Sequence, residues 1–170
     1  MVGQAETRTS VGIKFWFPVL VALALILIFR LPMRTGTYAA FMPFVSLAFV
    51  YYWVLYGRQY VPFWLVFFLG LFEDMVTLGP AGLNSIILLA VAVGLTNQRR
   101  FFVNRPFFVG WAGFAIVCIG VTILRWLLES VYASDFLAVA PLASQAVMTV
   151  LFFPVLGWVF GWMRKRLRRY

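Results

Sequence analysis

Two adjacent carboxylates, Glu73 and Asp74, are the residues of this chain that are best placed to do chemistry. They stand at the far end of an apolar run, and between Gln59 and Gln98 they are the only charged side chains. A charged carboxylate at the centre of a bilayer costs about 3 kcal/mol, so an acid at membrane depth is by default a candidate functional residue. The pair therefore requires partners inside the protein.

The spacing of the two acids argues against catalysis on a shared substrate. Neighbouring residues of an α-helix point about 100° apart, so Glu73 and Asp74 cannot both face one partner. We expect Asp74 to face inward and Glu73 to point elsewhere, toward the headgroups. Replacement of Asp74 by alanine should then damage folding or partner binding more than replacement of Glu73 does.

The residues that follow the acidic pair predict a tight helical hairpin. Gly79 and Pro80 end the helix, because glycine accepts the left-handed cap conformation and proline cannot continue a helix. Gly82 and Asn84 then open the next helix. This return brings side-chain donors and unpaired backbone N–H groups to the level of Asp74, where they can bind a carboxylate.

Three interpretations of the hairpin remain open at this point. The hairpin is either a polar contact that fixes helix packing, or a recognition site for a partner or ligand, or a site of proton chemistry. We favour the first. Arg34 and Arg125 are the candidate cations that would neutralise the inward carboxylate, since each is predicted at the outer end of another helix.

Composition identifies the solvent of this chain as lipid. The sequence is 64% hydrophobic and 11% charged, with a mean hydropathy of +0.97. Soluble domains carry roughly 25% charged residues. The continuous apolar runs predict an all-α integral membrane protein.

The residue inventory excludes several classes of enzyme. The chain has no histidine, which removes histidine-based catalysis and the commonest metal ligand, and Cys118 is its single cysteine. It has no glycine-rich phosphate loop and no nucleophile elbow. We predict no enzymatic activity, no cofactor and no metal. The net charge of +9 does not indicate nucleic-acid binding, because most basic residues flank apolar segments.

Six transmembrane helices are predicted from runs of about 20 apolar residues. They cover residues 14–31, 37–56, 61–78, 82–97, 107–128 and 137–163. Residues 1–13 form a cytoplasmic segment, and residues 164–170 form a basic cytoplasmic tail. The first run is expected to be a retained helix rather than a cleaved signal peptide, since no small-residue cleavage site follows it.

Basic residues set the predicted orientation, with both termini in the cytoplasm. Eleven of the fourteen then lie on the inner side: Arg8, Lys14, Arg58, Arg99, Arg100, Arg105, Arg164, Lys165, Arg166, Arg168 and Arg169. From Arg99 onward these residues are expected to face anionic phospholipids. Five tryptophans are expected in the interfacial aromatic belts: Trp16, Trp53, Trp64, Trp126 and Trp162.

Several short motifs occur in a recognisable order. They are Tyr51-Tyr-Trp53, Phe68-Leu-Gly-Leu71, Asp74, Gly79-Pro80, Gly82-Leu-Asn84, Gln98-Arg-Arg100, Trp111, Phe114, Gln145, Thr149 and Pro154. Over residues 41–169 the chain resembles the bacterial rod shape-determining protein MreD family. We assign Trp53 and Trp111 to the predicted interaction motif together with the acidic hairpin.

The resemblance implies a multi-pass inner-membrane scaffold of the cell-wall elongation machinery. Proteins of this family bind MreC, a single-span partner, and through it couple the filament protein MreB to peptidoglycan synthesis by RodA and a class B transpeptidase. The family fold is similar to the S components of energy-coupling-factor transporters. A small-solute-binding transport subunit is therefore the alternative, and a purely structural bundle is a third interpretation. Residues 19–24 lack the Ala-x-x-x-Ala spacing of S components, which favours the scaffold.

Overall fold

The protein is all-helical over the part of the chain that the structure describes. This computed structural model describes residues 19–28, 43–57, 61–77, 81–103, 107–133 and 139–167. They form α1 (Val19–Ile28), α2 (Val45–Tyr56), α3 (Phe63–Thr77), α4 (Leu83–Val103), α5 (Phe107–Ala133) and α6 (Val139–Leu167). Predictions that concern Trp16, Arg34, Gly79, Pro80, Arg105, Arg168 and Arg169 lie outside these residues.

Two of the described helices are long and apolar enough to cross a membrane. They are Phe108–Val131 in α5, with 24 residues, and Val139–Arg166 in α6, with 28 residues. The apolar helices α1 and α2 are shorter than the roughly 20 residues that a full crossing requires. The count of six spans and the location of both termini therefore stay predictions.

Helix α2 lies at the centre of the protein. Every residue of α2 except Tyr56 is buried, as expected for a helix that is apolar on all sides. The Tyr51 ring packs edge-on against Phe114 of α5 and Phe153 of α6, with centroid separations of 5.1 and 5.6 Å. Phe49 packs in the same manner against Phe160, at 5.7 Å. The aromatic part of the core is thus built around α2 by residues of α5 and α6.

The aromatic belt prediction is wrong for one tryptophan. Trp53 is fully buried in α2, within the hydrophobic core and 6.0 Å from the Phe49 ring. Helices α4 and α6 both pack against α2, and every residue of α2 except Tyr56 is buried. Trp64 and Trp162 are exposed, as an interfacial position requires.

The helices α2 to α6 alternate in direction. Phe44, which precedes α2, contacts Thr149 in the first half of α6, and Ser46 contacts Glu73 near the end of α3. At the opposite end of α2, Arg99 from the end of α4 reaches Leu55. The bundle therefore has two distinct ends.

We name the two ends by their charge. The acidic end holds every described carboxylate, namely Glu73, Asp74 and Glu129, together with Arg125. The basic end holds the end of α2, the start of α5 and the cationic last turns of α4 and α6. This separation of charge follows from the helix directions and from the positions of the acids in the sequence.

The helix ends differ from the predicted ones where charged residues continue a helix. Helix α4 runs to Val103 and contains Arg99 and Arg100, which were predicted to lie in a loop. Arginine is a good helix former, so its charge does not end a helix. Helix α6 starts at Val139, two residues after its predicted start, and Pro141 lies in its first turn. Proline is tolerated there because the first N–H groups of a helix have no intrahelical acceptor.

Candidate functional site

Asp74 caps the amino terminus of α4. Its Oδ2 accepts the backbone N–H of Gly82 at 2.7 Å, and its Oδ1 accepts the backbone N–H of Asn84 at 3.1 Å. The Gly82 carbonyl accepts the N–H of Ile86 at 3.0 Å, so α4 begins directly after Gly82. The first N–H groups of a helix lack intrahelical acceptors, and the helix dipole favours a negative charge there.

The predicted inward orientation of Asp74 is confirmed, since its side chain is 3% exposed. The predicted side-chain donors are wrong. Backbone N–H groups bind the carboxylate, whereas the Ser85 hydroxyl donates to the Phe67 carbonyl at 3.1 Å. Within the described residues the Oδ1 atom of Asn84 is buried without a hydrogen-bond partner. The hairpin is thus closed by main-chain groups.

Glu73 is buried as well, which contradicts the expectation that it points toward the headgroups. It is 1% exposed, and its carboxylate accepts a hydrogen bond from the Ser46 hydroxyl at the start of α2. Helix α3 packs against both α2 and α4, so two directions 100° apart each meet a neighbouring helix. The two acids do face different partners, as their adjacency predicts.

Arg125 is not the counter-charge of Asp74. Its Nε donates to Glu129 Oε1 at 2.6 Å, one turn further along α5. Its guanidinium carbon also lies 5.7 Å from the centroid of the Phe44 ring. The prediction for Arg125 is therefore wrong, while Arg34 lies outside the described residues. The Asp74 charge is stabilised by the two N–H groups and the α4 dipole.

Helices α3 and α4 meet without intervening side chains at Gly70. A Cβ atom on Gly70 would lie 2.5 Å from the Ser85 Cα, 2.6 Å from the Ser85 nitrogen and 3.0 Å from the Asn84 carbonyl carbon. At the turn, Gly82 has a φ of +92°, a conformation that side chains disfavour. These two glycines allow the close approach that places Asp74 on the start of α4.

Trp111 compensates for a proline inside α6. Pro154 has no N–H, so the carbonyl of Val150, four residues earlier, loses its intrahelical donor. The Trp111 Nε1–H donates to this Val150 carbonyl at 3.1 Å. The indole therefore supplies the hydrogen bond that the proline removes, and it joins α5 to α6 at that point.

This compensation predicts a coupled pair of mutations. In the native background, Trp111→Phe should lower the free energy of unfolding by about 1–3 kcal/mol, because it leaves the Val150 carbonyl unsatisfied. In a Pro154→Ala background, the introduced alanine supplies a backbone N–H that pairs with that carbonyl, so Trp111→Phe should cost clearly less. Thermal unfolding of the four proteins in detergent measures the coupling. Equal costs in both backgrounds would contradict the assignment.

Thr149 and two arginines form hydrogen bonds with backbone groups at the two ends of α2. The Phe44 N–H donates to the Thr149 hydroxyl oxygen at 2.8 Å, in front of the helix. At the other end, Arg99 Nε donates to the Leu55 carbonyl at 2.9 Å. Arg164 donates from a guanidinium nitrogen to the Tyr56 carbonyl at 3.4 Å. Cations at a helix carboxyl terminus are also favoured by its dipole.

Arg99 and Arg164 each direct a polar group toward a carbonyl at the end of α2, and the prediction that they face lipid stays a prediction. Lys165 and Arg166 are exposed, and the Arg166 guanidinium lies 4.9 Å from the centroid of the Trp162 ring. The side chains of Arg100, Arg105, Arg168 and Arg169 lie outside the description. Arg99 and Arg164 differ from the two exposed cations because they donate to backbone carbonyls, a contact that the sequence does not reveal.

The described polar groups do not form a reactive centre. Over the described ranges, no three His, Cys, Asp or Glu side chains approach closely enough to hold a metal ion. Glu73 and Asp74 are engaged with α2 and α4, and Glu129 is paired with Arg125. The arrangement holds helices together.

A groove between α1 and α3, which we name the lateral groove, is a concave surface of the described residues. Its volume is about 900 Å³. Its lining is entirely apolar and consists of Val19, Leu23, Pro62, Trp64, Leu65, Phe68, Leu69, Leu71, Phe72 and Met75. It lies beside the acidic hairpin, since α3 contributes to both. The lateral groove is the candidate binding surface.

Comparison with known proteins identifies the family. The model of the family described as rod shape-determining protein MreD matches residues 9–166, nearly the whole chain. The chain belongs to the MreD family. The match confirms the resemblance drawn from residues 41–169 and extends it toward the amino terminus. MreD family proteins are membrane-associated and act in the determination of rod shape, which is not an enzymatic role.

The chain is also similar to an uncharacterized protein of Rickettsia prowazekii (strain Madrid E). The two are 22% identical over 127 residues, which cover 74% of this chain and 71% of the relative. No solved structure is significantly similar to this chain. The similarity to S components of energy-coupling-factor transporters therefore stays a prediction.

Proposed function

We propose that this MreD family protein is a non-catalytic scaffold of the cell-wall elongation complex. It lies in the bacterial inner membrane as a multi-pass protein and binds the single membrane span of MreC. Through MreC it is joined to MreB, RodA and a class B transpeptidase. The observation that carries the proposal is the lateral groove, an apolar concave face on a bundle whose described carboxylates are all engaged internally.

The charge separation of the bundle supports six spans with both termini in the cytoplasm. Helices α2 to α6 alternate in direction, which is how consecutive spans run. The basic end carries Arg99, Arg164, Lys165 and Arg166 among the described side chains, whereas the acidic end carries Arg125. The excess of Lys and Arg on one side marks that side as cytoplasmic. The acidic hairpin then faces the outer leaflet.

The dimensions of the lateral groove suit a partner helix. Trp64, Phe68 and Met75 of α3 are 59%, 59% and 67% exposed and lie beside this groove. From Trp64 to Met75 the helix rises about 17 Å, about half the thickness of the hydrocarbon core. Lipid does not drive apolar helices together, so association depends on packing into a complementary shape. A concave apolar face meets that requirement better than a flat one.

The cavity described at the acidic end is too small for a transported solute. The cavity there, lined by Phe44, Cys118, Arg125 and Thr149 among others, has a volume of about 10 Å³. That is about the minimum for one water molecule. A transport subunit of the predicted kind needs a solute-sized cavity on this outward side. Over the described residues, the observation favours the scaffold over the transport subunit.

Site-specific photo-crosslinking tests the proposal. A benzophenone amino acid at Phe68 or Met75 should give an adduct with MreC in cells, because both residues lie in the lateral groove. The same probe at Ile116 or Ile119 of α5 serves as a control, since these residues are 72% and 57% exposed but do not line the groove. Adducts that form equally from α5, or only from α5, would refute the assignment of the groove to MreC.

A further inference from the structure

A second cavity lies at the basic end, between α2, α5 and α6, and we name it the tyrosine pocket. Its volume is about 270 Å³. Its lining includes Tyr51, Tyr52, Tyr56, Gly110, Gly157 and Arg164. A Cβ atom on Gly110 would lie 3.2 Å from the Tyr56 hydroxyl, so the missing side chain leaves part of this space open.

The tyrosine pocket presents hydrogen-bond donors that the protein does not use. The Tyr51 hydroxyl donates to the Gly110 carbonyl at 2.8 Å. The hydroxyls of Tyr52 and Tyr56, by contrast, have no hydrogen-bond partner among the described residues, and neither is sealed away from the cavity. Arg164 makes one long bond, 3.4 Å, to the Tyr56 carbonyl, which leaves most of its guanidinium N–H groups available.

The pocket also has an unbalanced positive charge. The carboxylates of the described chain, Glu73, Asp74 and Glu129, all lie at the acidic end, across the length of the bundle. Arg164 is partly buried, and its guanidinium carbon lies 5.6 Å from the Tyr56 ring centroid. A partly buried cation with unused donors and no described carboxylate nearby creates a local positive potential that an anion would satisfy.

We propose that the tyrosine pocket binds a phosphate group, and that the phosphate is carried by a membrane lipid. The planar guanidinium of Arg164 matches the geometry of phosphate oxygens, and the two tyrosine hydroxyls supply further donors. Arg164 lies in the last turn of α6, where a spanning helix reaches the headgroups. The Phe153 ring contributes an apolar wall for the carbon atoms next to the phosphate. The proposal requires membrane location but not the scaffold function.

The test is lipid binding by the full-length protein, purified and delipidated in detergent. Native mass spectrometry would measure the binding of phosphatidylglycerol and of phosphatidic acid, with diacylglycerol as the probe that lacks phosphate. Arg164→Gln should weaken binding of both phospholipids about tenfold or more, since hydrogen bonds to charged groups are the strong ones. Arg166→Gln is the matched control, because it removes the same charge from the same turn of α6 without lining the pocket.

A second pair of variants keeps the test valid if Arg164→Gln does not fold. Tyr52→Phe and Tyr56→Phe retain the rings and remove only the hydroxyls, and their combination should also weaken phospholipid binding. Binding of inorganic phosphate that depends on Arg164, without phospholipid binding, would identify a free phosphate as the ligand of the same pocket and overturn the lipid assignment. Equal effects of Arg164→Gln and Arg166→Gln would overturn the proposal. So would diacylglycerol binding as tight as phospholipid binding, or an unchanged affinity in the double tyrosine variant.

Crosslinking from the lateral groove separates this proposal from the scaffold function. The groove lies between α1 and α3, whereas the tyrosine pocket lies between α2, α5 and α6. Failure of phospholipid binding would leave MreC adducts at Phe68 unchanged. Failure of crosslinking would leave the Arg164 dependence of lipid binding unchanged.

Discussion

Asp74→Ala is expected to lower the free energy of unfolding by about 2–4 kcal/mol, because it leaves the N–H groups of Gly82 and Asn84 without an acceptor. It also removes the negative charge from the start of α4, where the helix dipole favours it. The measurement is thermal or denaturant unfolding of the purified protein in detergent. Loss of rod shape in a complementation assay should accompany the loss of stability.

Two control variants test whether the loss of stability is specific to Asp74. Glu129→Ala removes the same charge from the acidic end, but its partly exposed ion pair with Arg125 should contribute at most about 1 kcal/mol. Glu73→Ala should cost less than Asp74→Ala, since the Glu73 carboxylate accepts from the Ser46 hydroxyl rather than from two backbone groups at a helix start. The assignment of Asp74 as a cap fails if Asp74→Ala unfolds no earlier than Glu129→Ala.

Gly70→Ala is expected to be the second most damaging single change, with a cost of about 3 kcal/mol. The added methyl group would meet the Ser85 backbone at 2.5 Å, and backbone atoms cannot move aside as a flexible side chain does. Overpacking of this kind typically costs about 1–3 kcal/mol or more. Because α3 must then move away from α4, the variant should also weaken the Asp74 cap. Thermal unfolding and proteolysis of the hairpin would measure both effects.

Gly94→Ala is the matched control for Gly70→Ala. Gly94 lies in α4, is exposed, and would have no atom within 4 Å of an added Cβ. Alanine is a better helix former than glycine by roughly 0.5–1 kcal/mol, so this variant should be neutral or slightly more stable. If Gly70→Ala and Gly94→Ala have the same stability, the close approach of α3 and α4 is not a constraint on the fold.

The sequence predicted six helical segments and the inward direction of Asp74, but it placed the start of α2 at residue 37, eight residues too early. Breaks at glycine and proline located the starts of α3, α4 and α5 to within two residues of their positions. The direction of Glu73 was missed because the sequence of a single helix gives only the angle between two side chains about the helix axis. The absolute direction depends on the neighbours, and α3 has a neighbour on each of the two relevant sides.

The burial of α2 could not be predicted from its residues. A helix that is apolar on every side is equally compatible with lipid and with a protein core. Trp53 illustrates this point, since its type suggested a membrane interface while its contacts place it in the core. The packing of α4 and α6 against α2 decides between a lipid and a protein environment, and both helices are distant from α2 in the sequence.

The roles of Trp111 and Arg99 were hidden for a different reason. Each side chain satisfies a backbone carbonyl on another helix, and such a requirement leaves no trace in the sequence around the donor. Pro154 gave the only available hint, since a proline inside a helix always leaves one carbonyl without its donor. A search for indole or arginine donors opposite each internal proline would have suggested the pair.

The attachment of α6 to both ends of α2 has a consequence for biogenesis. Thr149 holds the residue in front of α2, and Arg164 reaches the carbonyl at its end, across 105 and 108 positions of the chain respectively. A ribosome must therefore finish almost the entire polypeptide before the side of α2 that α6 covers becomes buried, although α3 and α4 reach α2 earlier. A nascent chain truncated ahead of α6 would leave this side of α2 uncovered, and quality-control proteases would have time to act on it.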